Sequence, residues 1–155
     1  MRTTKLAVLS LAIAAAQAHA FDIKGVRLGD PMTECPPGSV VVPGSNPSTL
    51  CSFGPSTVAN QPASDYVISF YEGKVTSLMY QLQDKGRSAN GGLRDSLIAK
   101  FGTPSSSKSH INEYRWTKPG QILALDGFRG TLILLDVVAH QKSRDEAAKS
   151  NKGDL

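Results

Sequence analysis

Apolar and polar positions alternate most clearly between residues 66 and 82. Tyr66-Val67-Ile68-Ser69-Phe70-Tyr71 is β-branched and aromatic, Glu72-Gly73 turns the chain, and Lys74 to Leu82 continues as a second strand. Thr76, Leu78, Tyr80 and Leu82 share one parity, with Val75 and Met79 on the other. A β-hairpin follows from that pattern, and the polar, glycine-bearing stretch Asp84 to Gly92 predicts a loop after it. The period then changes. Leu93, Leu97, Ile98 and Phe101 fall at helical spacing, which predicts a helix from Gly92 or Leu93 to Phe101. Gly102 is a ready left-handed terminator and Pro104 prevents the helix from resuming.

Alternation returns in Glu113-Tyr114-Arg115-Trp116, with Tyr114 and Trp116 on one face and Arg115 on the other. Lys118-Pro119-Gly120 turns into Ile122-Leu123-Ala124-Leu125, and Asp126 to Gly130 turns again into a strand from Thr131 to Ala139. Strands joined this tightly predict an antiparallel meander. Gln141 to Leu155 has no apolar face and reads as a flexible polar tail. Upstream, Phe21 to Leu28 suggests a short edge strand, with a brief helix around Met32 to Cys35. Residues 36–64 contain six prolines in 29 positions and predict an irregular excursion. The sum is an α+β fold: an antiparallel sheet of about 4–6 strands with a short helix packed on one face.

Residues 1–20 change the picture of what this chain is. Arg2 and Lys5 precede an unbroken small and apolar run from Leu6 to Ala16, and Ala18-His19-Ala20 fits a small-x-small cleavage site. The expected organisation is a signal peptide over 1–20, one domain over 21–141 with an irregular loop at 35–64, and a tail over 142–155. The run is too short to span a membrane, and Phe21 offers no thiol for lipid attachment. The expected product is soluble and either periplasmic or secreted. Export also sets the reading of the two cysteines. In an oxidising compartment the isolated pair Cys35 and Cys51 predicts a structural disulfide rather than a metal site.

Charge narrows the partner classes. Without Arg2 and Lys5 the formal net charge falls from +4 to +2, which argues against a general nucleic-acid binder. The cations are concentrated over residues 85–118, which hold seven basic and two acidic side chains. That asymmetry admits a glycan or anionic lipid as a partner.

Catalytic signatures are missing from the pattern: the chain has no glycine-rich phosphate loop, His-Glu-x-x-His pair or Gly-x-Ser-x-Gly turn. No catalytic residue, metal ligand or cofactor is therefore assigned. His110 and His140 have no companion at metal-ligand spacing. Asp136 is conspicuous because it interrupts Leu132-Ile133-Leu134-Leu135 and Val137-Val138. A carboxylate there must be exposed, paired or raised in pKa. Asp126, Asp136 and Glu113 are the acids from which a dispersed hydrolytic pair would be drawn. Contact chemistry is assigned instead to Phe53, Tyr71 and Arg115, with Tyr71 expected outside if Phe70 lies inside.

Phe21 to Gly29, FDIKGVRLG, resembles the glycine-aliphatic-x-leucine-glycine opening of BamE-like envelope domains. LRDSLIAKFGTP, Leu93 to Pro104, is similar to the short helix those domains place before a strand, and Tyr114-Arg115-Trp116 resembles the aromatic strand that follows. A repeated helix-plus-strands plan, as in periplasmic inhibitors of secreted enzymes, is also similar. The resemblance implies a small binding module without catalysis; Pro31, Pro36 and Pro37 stand where the first helix of such a unit would run. The expected function is that of an exported, non-catalytic binding protein, an enzyme inhibitor or assembly factor with an envelope or secreted protein as partner. A small hydrolase using the dispersed acids and a module for anionic lipid or glycan are the alternatives.

Overall fold

The computed structural model describes residues 20–42, 47–86 and 89–150; the expected signal peptide lies almost wholly outside them. A hairpin of β1 (Asp22–Ile23) and β2 (Val26–Arg27) opens the chain. Nine further strands form one antiparallel sheet: β3 (Val40–Val42), β4 (Thr49–Phe53), β5 (Ser56–Val58), β6 (Gln61–Tyr71), β7 (Lys74–Leu82), β8 (Ser106–Lys108), β9 (Glu113–Lys118), β10 (Gln121–Asp126) and β11 (Thr131–Asp136). Their spatial order is β3-β4-β6-β7-β11-β10-β9-β8, with β5 also paired to β6. Among the described residues two α-helices accompany them, α1 (Gly91–Phe101) and α2 (Val137–Ser150).

The α+β class and the antiparallel pairing agree with the sequence, but the expected sheet of about 4–6 strands was too small, and a second helix was missed. Three of the extra strands, β3, β4 and β5, lie in the proline-rich stretch read as irregular, and a fourth, β8, lies between α1 and β9. Four prolines of the 36–64 stretch sit where a ladder tolerates them: Pro36 and Pro37 precede β3, Pro55 precedes β5, and Pro62 stands early in β6. Ala59 and Asn60, at φ 45° and 64°, make the two-residue turn from β5 to β6, and Val58 pairs Gln61. No helix forms at Met32 to Cys35; Met32 N–H donates to the Gly73 carbonyl and Pro31 bridges Lys74.

The disulfide Cys35–Cys51 is formed, with Cα atoms 5.4 Å apart. Cys51 is fully buried in β4 opposite Val41, so the bond ties the approach to β3 onto the sheet.

Alternation along the strands divides the sheet into two faces. One carries the core. Ile68, Leu78, Leu134, Leu123 and Trp116 pair in a continuous row across β6, β7, β11, β10 and β9. Tyr66, Tyr80, Leu132, Leu125 and Tyr114 form the next row. Leu93 and Leu97 of α1 join this cluster, together with Phe21, Ile23 and Leu28 from the N-terminal hairpin. Trp116 Nε1 donates to the Gly102 carbonyl at 2.7 Å, fastening the end of α1 to β9.

The C-terminal segment departs from expectation for a local reason. Asp136 ends β11 and caps α2, its Oδ1 accepting the Ala139 N–H at 2.9 Å. The strand expected to reach Ala139 therefore stops at Asp136, and much of the expected tail is helix. α2 lacks an apolar stripe and is held largely by polar contacts. Lys142 Nζ meets Glu72 at 2.6 Å and lies over the Tyr71 ring, while Ser143 and Ser48 share a 2.6 Å hydrogen bond.

Candidate binding face

The second face of the sheet lies opposite the core. Val40, Ser52, Val67, Met79, Ile133, Ala124 and Arg115 pair in one row from β3 to β9. Val42, Leu50, Ser69, Ser77, Leu135, Ile122 and Thr117 make the row beside it. Val40 and Val42 are exposed, and Leu50, Val67, Met79, Ile122, Ala124, Ile133 and Leu135 are partly accessible. An uncovered strand side chain retains only part of its area because its cross-strand neighbours shade it. The face therefore presents an apolar strip several strands wide, about 24 Å from β3 to β10 at the usual strand spacing.

Each border of the strip is polar or built up. Asp65, Gln81, Thr131, Asp126 and Glu113 form the row on one side. On the other side stands α2. Tyr71 has the parity opposite to Phe70, so its ring enters this face, where Lys142 covers it. Arg115 closes the far end, exposed and without an ion-pair partner among the described residues.

Of the three residues assigned to contact chemistry, only Arg115 is exposed on this face. Phe53 belongs to the margin of the core: its ring stacks on Tyr66 at 4.4 Å, and Tyr66 stacks on Tyr80 at 5.1 Å. Tyr71 does point away from Phe70, but α2 occupies that side and leaves only 6% of the residue exposed. Its hydroxyl has no hydrogen-bond partner of ordinary geometry, although the nearby Glu146 carboxylate, followed by burial, pushes the phenol pKa up to about 12. The Lys142 ammonium holds the Glu72 carboxyl below its ordinary value, and Glu72 raises Lys142 in return. Sequence reasoning missed Met79, Ile133, Leu135 and Ile122 as a surface; their signal was apolar residues on the parity opposite to the core.

The dispersed acids do not converge. Asp136 pairs Gln121 at one end of β10, and Asp126 lies five residues along that strand, roughly 17 Å away. Each has a structural task, Asp136 on α2 and Asp126 accepting the Arg129 N–H at 2.9 Å. Glu113, opposite Asp126, pairs Lys108 at 3.7 Å. No cluster of His, Cys, Asp and Glu able to hold a metal occurs among the described residues. Several cations of 85–118 are also engaged: Arg94 with Asp95, Lys100 with the Asp22 carbonyl, and Lys118 over the Phe21 ring. No described helix is long and apolar enough to cross a membrane.

Comparison with protein-family models, curated proteins and solved structures returns no match for this chain.

Proposed function

We propose that this chain is an exported, non-catalytic binding protein that receives a protein partner on the open face of its sheet. The observation that carries the reading is the partly accessible apolar strip of Val67, Met79, Ile133, Leu135 and Ile122, ending at the exposed Arg115. Apolar surface of this extent, rimmed by polar groups, is characteristic of interaction sites. An exposed guanidinium at its margin, with no ion-pair partner among the described residues, supplies a charge that orients a partner more than it adds affinity. The separation of Asp126 from Asp136 weighs against a hydrolase built on that pair. The leader-like residues 1–20 and the Cys35–Cys51 disulfide support an envelope or secreted setting, as enzyme inhibitor or assembly factor.

The test is capture of a stoichiometric partner from envelope and secreted fractions by the oxidised protein, followed by measurement of its affinity. Arg115→Glu and Met79→Asp are each expected to weaken binding at least about tenfold, with the circular-dichroism spectrum unchanged. Unaltered affinity in both variants would remove this face from the proposal. Binding that vanishes with moderate salt and responds only to Arg115→Glu would favour an anionic surface over an apolar one.

A further inference from the structure

The two outer strands of the sheet differ in chemistry. β8 presents Ser106, Ser107 and Lys108, a short polar edge ending in a lysine, which is how sheets commonly discourage pairing with another chain. β3 presents Val40, Val41 and Val42, exposed by 68%, 62% and 37%, and none of its residues is charged. Among the described residues nothing pairs with the outer side of β3. Residues 35–64, which supply β3, β4, β5 and the start of β6, contain no Asp, Glu, Lys, Arg or His.

We infer that β3 is a pairing edge for a second copy of this chain, with two β3 strands joining antiparallel about a twofold axis. Such an interface is isologous, so each residue must accept its counterpart from the same strand. Centred on Val41, the contact sets Val41 against Val41 and Val40 against Val42, apolar on apolar at every position. The absence of charge over 35–64 removes the like-charge repulsion that two copies of a charged edge would meet. Charge would normally steer a different partner, and β3 and its neighbour β4 carry none. The Cys35–Cys51 bond holds the edge in place, because Cys51 pairs Val41 across β3 and β4.

The contact is small. Three residues from each copy bury less than the roughly 1,000 Å² expected of a stable interface, so association is reversible and depends on concentration. A twofold perpendicular to the sheet keeps both open faces on the same side. Val40 and Val42 then carry the two apolar strips into each other across the axis. This inference stands on the edge alone and survives if the open face proves to bind nothing.

Sedimentation of the purified, oxidised protein over a wide concentration range tests it. The apparent mass is expected to climb toward twice the monomer value for the wild type and for Ser107→Lys on the opposite edge. Val41→Lys, a change at an exposed position, is expected to hold the mass at the monomer throughout. Amide exchange at Val40 to Val42 gives a second reading, with protection rising as the wild type is concentrated. Wild-type protein that stays monomeric, a dimer that persists in Val41→Lys, or β3 protection independent of concentration would each overturn the inference. Retained partner binding by monomeric Val41→Lys would separate this edge from the open face.

Discussion

Asp136 shows how one side chain can reverse the meaning of the residues around it. Read from sequence, a charge between Leu132-Ile133-Leu134-Leu135 and Val137-Val138 sits inside a strand, because β-branched residues favour strands on both sides. In the fold its carboxylate accepts the Ala139 N–H and starts α2. Alternation could not distinguish a strand that continues from one that yields to a helix, since Val137 and Val138 suit either. The cap makes a definite prediction: Asp136→Ala should cost about 1 kcal/mol, and Asp136→Asn considerably less. Chemical denaturation of the two variants checks the order, and faster amide exchange confined to the first turn of α2 would locate the loss. Equal stability of Asp136→Ala and wild type would remove Asp136 as the cap that matters.

At the scale of elements, legibility followed the strength of local pattern. The β6–β7 hairpin, α1 and the β9–β10–β11 meander were readable because alternation, helical spacing and turn residues agreed. β3 and β5 were not, since three-residue strands carry too little periodicity to outweigh neighbouring prolines. α2 was hidden because it docks through Lys142 and Ser143 rather than an apolar stripe.

That manner of docking makes α2 sensitive to alkali. Tyr71 beneath it and Tyr80 in the core both have pKa values raised from 10.0 to about 12, the first chiefly by Glu146 and the second by burial. Raised phenol pKa values mean that the fold favours the neutral ring. Their contribution is therefore complete below pH 10 and is lost as pH rises toward 12. Tyrosinate absorbance and far-ultraviolet circular dichroism, followed together, should show two phenols ionising late and helical signal falling with them. Tyr71→Phe should remove one late ionisation and leave helix loss less steep. Ionisation of all four tyrosines near pH 10 with full helical signal would contradict the assignment. In acid the Glu72–Lys142 tie fails in the opposite sense, its contribution being lost as pH falls through the lowered Glu72 value.

For the whole molecule, class and the disulfide were legible, whereas the extent of the sheet and the uncovered face were not. A covered face and an open one can both be apolar, and only the position of α1 and the N-terminal hairpin shows which is which. The disulfide encloses a separation of 16 residues, so replacing both cysteines with serine should lower stability by roughly 3 kcal/mol. Urea unfolding of oxidised wild type against Cys35→Ser/Cys51→Ser checks that figure, and a difference near zero would mean β3 and β4 stand without it.

The hydrogen bond from Trp116 to Gly102 has a practical consequence, because this is the chain's one tryptophan. Its indole emission is a built-in gauge of whether α1 still rests on the sheet, while the part of the tyrosine signal that Tyr71→Phe removes, set against the other three tyrosines, answers for α2. Two colours thus follow two helices in unlabelled protein. Coincident denaturation curves at both wavelengths would mark a single cooperative body, and a lag between them would reveal α2 as a clasp that opens first.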